Sequence, residues 1–121
     1  MYSVIIETNF RAPHQLRLPD GSKEPLHDHD WKIAVSVTSK KLNKTGLVID
    51  FHCLKGFLDS AVSDIDGQQL EKIEFFQKNN SSAENVAKYI YEKLETMLPK
   101  SVKLEDVTVT EETGCLAKFE K

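Results

Sequence analysis

The chain has 121 residues, of which 40% are apolar and 29% charged, and its formal net charge is −3. That length holds one domain, spanning 1–121; the balance is that of a globular chain rather than a disordered one. The charge argues against nonspecific binding to a nucleic-acid backbone. No apolar run is long enough to cross a bilayer, and the first residues lack the basic-then-apolar layout of a signal peptide. Two cysteines are too few for a disulfide framework, so a cytoplasmic protein without nucleic-acid or membrane partners is expected.

Tyr2 to Phe10 alternates as a strand should, with Tyr2, Val4, Ile6, Thr8 and Phe10 on one side. Residues 11–26 hold three of the four prolines plus Asp20-Gly21 and read as a long irregular loop, a length that in a compact domain usually serves function. Trp31 to Ser39 is the clearest strand, with Trp31, Ile33, Val35 and Val37 facing one way. A turn through Asn43 to Gly46 leads to a helix capped by Asp50, whose stripe is Phe51, Leu54, Leu58, Ala61 and Ile65, with Gly67 as its end.

A second helix is predicted from Ser81 or Ser82 to about Leu98. Ser81 and Glu84 have capping-box spacing, Val86, Ile90, Leu94 and Met97 form the stripe, and Pro99 stops it. Val102 to Glu111 and Leu116 to Phe119 read as a closing hairpin around Thr113-Gly114. The order β-β-α-α-β-β, without βαβ alternation, predicts an α+β domain with a mostly antiparallel sheet.

Three of the four histidines, His14, His27 and His29, fall within sixteen positions. In an extended chain His27 and His29 face the same side, so both can address one ion, and His14 from the preceding segment makes a three-nitrogen set. Three imidazoles leave one tetrahedral position open, as catalytic zinc sites do, although nickel, copper and iron also bind imidazole. The plain alternative is a set of ordinary histidines in a polar loop. Asp28 and Asp30 are read as solvated charges, His52 as structural or exposed, and Cys53 and Cys115 as small core residues.

Longer blocks then make the chain recognisable. Phe10-Arg11-Ala12-Pro13-His14-Gln15-Leu16, His27-Asp28-His29, Gly46 to Phe51 with Leu54-Lys55, Ser81 to Tyr91, and Val107 to Glu111 stand in one order along nearly the whole chain. Together they resemble the family of 6-pyruvoyl-tetrahydropterin and 6-carboxy-tetrahydropterin synthases, whose members serve biopterin, queuosine or folate synthesis. The resemblance implies the tunnelling fold, a four-stranded antiparallel sheet with two helices on one face, joined edge to edge into trimeric barrels and commonly stacked as hexamers. It also implies a lyase that takes a small pterin substrate, 7,8-dihydroneopterin triphosphate, and a zinc ion held by His14, His27 and His29 that acidifies the side-chain hydroxyls. Glu111 would anchor the pterin ring, with Glu112 as second choice, and Ser82 and Glu84 would lie near it.

Two family residues are missing. The catalytic cysteine has no counterpart at Gly21 or Lys23, and the motif that pairs an aspartate with a general-base histidine reads Asp66-Gly67-Gln68-Gln69-Leu70, keeping Asp66 alone as a catalytic carboxylate. In exchange, Glu24-Pro25-Leu26-His27-Asp28-His29 resembles a branch in which glutamate replaces the cysteine and 6-hydroxymethyl-dihydropterin is made. Triphosphate elimination or side-chain cleavage, with Glu24 as proton shuttle, is the expected activity. A homologue that keeps only a metal- or pterin-binding pocket is the alternative.

Overall fold

A computed structural model describes all of residues 1–121. Strands β1 (Tyr2–His14), β2 (His27–Ser39), β3 (Lys103–Glu112) and β4 (Cys115–Phe119) form one antiparallel sheet in that spatial order. Helices α1 (Phe51–Val62) and α3 (Ala83–Glu95) are the two main helices. Between them run a 3-10 turn at Leu70–Lys72 and a short α2 (Glu74–Lys78), neither of which the sequence periodicity announces. The expected α+β architecture with a four-stranded antiparallel sheet is present.

Strand alternation builds the core. Ile6, Phe10 and Ala12 on β1, Trp31, Ile33, Val35 and Val37 on β2, and Leu104, Val107 and Val109 on β3 are buried against Leu54, Leu58 and Ala61 of α1 and Val86, Ala87, Ile90, Tyr91 and Leu94 of α3. The opposite sheet face carries Glu7, Asn9, Lys32, Ser36 and Thr108. Asp50 caps α1 as predicted, accepting from the Cys53 amide at 3.0 Å. The cap of α3 is Ser82, which accepts from Asn85 at 3.2 Å, rather than the box of Ser81 and Glu84. Ser81 is wholly buried instead.

Several expectations change. β1 runs four residues past Phe10, through Pro13 to His14, so the loop is shorter than predicted. Proline is tolerated there because β1 is an edge strand. α1 ends at Val62; Ile65 is buried from the turn that follows, whereas Phe51, the first helical residue, is 55% exposed. Cys53 and Cys115 are both exposed, not core. Cys53 precedes the buried Leu54 and falls off the 54–58–61 stripe, and Cys115 opens the edge strand β4.

Leu58 is fully buried, so Leu58→Ala should cost about 2–5 kcal/mol. Asp50→Ala should cost about 1 kcal/mol through the lost cap. Urea unfolding with an unchanged slope is the check on both.

Candidate functional site

The β1–β2 pairing brings the three histidines together. His14 stands opposite His27, and Ala12 opposite His29, at the end of the ladder where the loop leaves the sheet. All three continue the core-facing side of the pleat beyond Phe10 and Trp31. Ring centroids lie 4.7 Å apart for His14 and His27, 5.1 Å for His14 and His29, and 4.6 Å for His27 and His29. One nitrogen from each lies within 4.8 Å of the other two, the spacing of ligands around one ion.

Neighbouring groups set the protonation of two of these rings. His14 Nδ1 is 2.7 Å from the Ser81 carbonyl and His27 Nδ1 is 2.8 Å from the Pro25 carbonyl. A carbonyl only accepts, so both Nδ1 atoms carry a proton and both Nε2 atoms are left as the ligating nitrogens. The two buried side-chain polar atoms that lack a hydrogen-bond partner in this protein are His14 Nε2 and His29 Nε2. Buried polar atoms are nearly always paired, and two orphaned imidazole nitrogens in one cluster fit a cation between them. Burial lowers the His14 pKa from its usual 6.5, outweighing the Ser81 hydrogen bond and the Glu111 charge that raise it, and so favours the neutral ring that a metal ligand needs.

Glu111 Oε1 lies 3.1 Å from His14 Nε2. The contact is close but lacks hydrogen-bond geometry, and the Glu111 charge works against the burial that lowers the His14 pKa. Glu111 sits at the irregularity in the β3–β4 ladder between Thr110 and Glu112, where a bulge re-aims a side chain. With Ser82, Glu84, Leu16, Cys115 and Lys118 it lines a cleft of about 370 Å³. Glu112 opens on a different groove, beside Asp30, Lys32 and Thr110. A larger hollow of about 560 Å³, at Ser39 to Asn43, lies at the far end of β2 and contains no imidazole.

Glu24 reaches the cluster from the loop. Its Oε1 lies 3.6 Å from His27 Nε2 and accepts from the Leu16 amide at 3.0 Å. Asp66 is placed differently: Oδ1 accepts from the Arg11 amide at 3.1 Å while the Gly67 amide donates to the Arg11 carbonyl at 2.7 Å. It makes no hydrogen bond to an imidazole within this chain. Asp28 and Asp30 point to the other sheet face, onto Arg11 and Asn9, and His52 is exposed, as expected. Cys115 lines the cleft, but local desolvation of the exposed thiol, with the neighbouring Glu112 and Glu111 carboxylates, pushes its pKa up, away from a nucleophile.

Ser81 and Trp31 are site residues the sequence reading missed. The Ser81 carbonyl orients His14, and Trp31 packs edge-on to His14 and His29 while its Nε1 donates to the Ala12 carbonyl at 3.0 Å. The signals were the doubled serine, one more than a cap needs, and a tryptophan two residues after an H-x-H.

The family model for 6-pyruvoyl tetrahydropterin synthase matches residues 3–121. The chain is 32% identical over 108 residues to the dihydroneopterin monophosphate aldolase of Pyrococcus furiosus, covering 89% of this chain and 88% of that protein. It is 33% identical over 100 residues to the 6-carboxy-5,6,7,8-tetrahydropterin synthase of Synechocystis, covering 78% and 76%. The structure of Caenorhabditis elegans 6-pyruvoyl tetrahydropterin synthase superposes with a TM-score of 0.85 at 26% identity, over 100% of this chain and 97% of that one.

Metal analysis of the purified protein should find one transition-metal ion per chain. His29→Ala should lose it while keeping the far-ultraviolet circular dichroism of the parent; retention of a full equivalent would contradict the cluster as ligand set.

Proposed function

The chain belongs to the 6-pyruvoyl tetrahydropterin synthase family, and from that membership we propose that it is a zinc-dependent pterin lyase that cleaves the side chain of a 7,8-dihydroneopterin phosphate. The observation that carries this reading is the Glu24 carboxylate 3.6 Å from His27 Nε2, in a chain that lacks both the cysteine and the base histidine of the family. His14, His27 and His29 would hold the zinc, which when bound acts as a Lewis acid that lowers the pKa of a coordinated hydroxyl. Three imidazoles leave room for a hydroxyl of the substrate.

Glu111, with Ser82 and Glu84 in the same cleft, would hold the pterin ring, a carboxylate being the natural acceptor for its N–H groups. Glu112 serves as the second candidate on the neighbouring groove. Glu24 would take the proton from the hydroxyl on the departing carbon of the bond that breaks, and that carbon becomes the aldehyde carbonyl. The electrons of the side-chain carbon–carbon bond then pass into the C6–N5 imine of the dihydropterin, and the carbon left on the ring is reprotonated. The products are 6-hydroxymethyl-dihydropterin and a two-carbon aldehyde phosphate. The aldolase of Pyrococcus furiosus supports cleavage over triphosphate elimination, because it is similar over most of both chains.

Gly67, in place of the family's base histidine, favours one second reading, a pterin- or metal-binding protein without turnover. Asp66 has its Oδ1 on the Arg11 amide and, in the cleavage reading, contributes by holding β1 against the turn after α1. Assembly follows from the sheet. β1 and β4 are open edges, and Ile5 and Leu116 on them are 61% and 62% exposed. Joining edges would cover both, and a cytoplasmic homo-oligomer of this one-domain chain is the proposed form.

With zinc and 7,8-dihydroneopterin mono- or triphosphate, chromatography should show hydroxymethyl-dihydropterin. Glu24→Gln should lower kcat by about 10²–10⁴ with zinc content unchanged. Absence of any pterin product from the wild-type protein would favour the binding reading. Light scattering should give a trimer or hexamer; a stable monomer at micromolar concentration would contradict the edge argument.

A further inference from the structure

Hydrogen bonds around His14 converge on a carboxylate that the proposed chemistry does not use. Glu71, in the 3-10 turn Leu70–Lys72, accepts from the Gln15 amide at 3.2 Å and from the Gln69 side chain at 3.5 Å through Oε1. Its Oε2 accepts from the Ser81 hydroxyl. Ser81 in turn offers its carbonyl to His14 Nδ1. One carboxylate therefore grips both the residue that follows His14 in the chain and the residue whose carbonyl orients the His14 ring.

The same grip extends toward Glu24. The Gln15 side-chain amide donates to the Glu24 carbonyl at 3.2 Å, and the next amide, that of Leu16, donates to the Glu24 carboxylate. Displacement of Gln15 would thus move the histidine before it and loosen the carboxylate after it.

We propose that Glu71 is the positioning residue of the three-histidine site, setting the orientation and tautomer of His14 through Ser81 and Gln15. A hydrogen bond from a hydroxyl to a charged carboxylate is roughly twice as strong as a neutral one. Ser81 is fully buried, so without Glu71 its hydroxyl has no water to turn to and only the longer contact to the Gln15 carbonyl at 3.3 Å. A mere loop tether would be redundant here. Asn80 already ties the loop, accepting from the Arg17 amide and donating to the Arg17 carbonyl, both at 2.9 Å, and Arg17 Nη1 donates to the Phe76 carbonyl at 3.1 Å. Loss of Glu71 therefore leaves the loop docked and removes the alignment of His14.

The metal half of this proposal rests on the metal-site reading above; the tautomer half does not. The experiment uses the full chain as wild type, Glu71→Ala, Glu71→Gln and Ser81→Ala. Zinc alone is titrated against a chromophoric chelator, and imidazole nitrogen–proton correlation spectra are recorded on the metal-free proteins. Wild-type His14 should show the Nδ1–H tautomer. Glu71→Ala should give a tautomer mixture and weaken zinc binding about ten- to a hundredfold. Glu71→Gln still accepts from Gln15 but cannot accept from Ser81 through its nitrogen, so it should fall between, and Ser81→Ala beside it. Zinc affinities within twofold of wild type together with an unchanged His14 tautomer would overturn the proposal. If Glu71→Ala does not fold, Glu71→Gln and Ser81→Ala decide the matter on the same two readouts. A wild type that binds no zinc overturns the functional reading, while the His14 tautomer in the metal-free variants still decides the role of Glu71.

Discussion

Thirteen consecutive pairs join β1 to β2, from Tyr2 opposite Ser39 to His14 opposite His27, and this register is the constraint on which the site depends. Side chains alternate across a strand, so one face of the pair carries Phe10, Ala12 and His14 beside His27, His29 and Trp31. A slip of one residue would turn His27 and His29 to the face that now holds Asp28 and Asp30. The apolar half of the ladder makes such a slip costly. Ile33, Val35 and Val37 are essentially removed from water and would be exposed by it. Hydrophobic burial at one end of the strands thereby places imidazoles at the other.

Trp31 stands at the junction between core and site. Its ring is fully buried and nearly parallel to Phe10 at 5.8 Å, and its edge contacts reach His14 and His29. The indole N–H is satisfied by the Ala12 carbonyl, so a large polar-tipped side chain closes the core without leaving a donor unpaired. Beyond it the polar groups are left deliberately incomplete. Two buried imidazole nitrogens have no partner, a cost the fold carries only where it holds a site, and local violations of otherwise consistent packing cluster at such places.

Much of the fold was legible because its signals are local. The β2 alternation, the Asp50 cap, the Val86–Ile90–Leu94 stripe and the Thr113-Gly114 turn, with Gly114 at φ 85°, all depend on near neighbours along the chain. The errors arise where distant partners decide. Pro13 reads as loop, yet at an edge strand its missing amide proton costs no ladder bond, and β1 continues to His14. Ser81 reads as a cap because capping chemistry is local, yet Glu71 and His14 claim it from elsewhere in the chain. The cysteines read as core because small thiols usually are, and the stripe of α1 and the edge of β4 leave them in solvent.

Taken by itself, the sequence determined the order of the four strands and two main helices, the alternation of β1 and β2, the stripes of α1 and α3, and the three histidines as a candidate ligand set. Against the family's motifs it also showed no cysteine at Gly21 or Lys23, a glutamate at Glu24 and Gly67 in place of a histidine. Only the tertiary structure decided that Nδ1 of His14 donates to the Ser81 carbonyl, that Glu111 rather than Glu112 turns toward His14, and that Asp66 is occupied by the Arg11 backbone. The reason is physical. Periodicity and capping act over a few residues and are written in the chain, whereas the Ser81 carbonyl on His14, the Glu71 carboxylate on the Gln15 amide and the Asp66 carboxylate on the Arg11 amide join groups more than fifty positions apart.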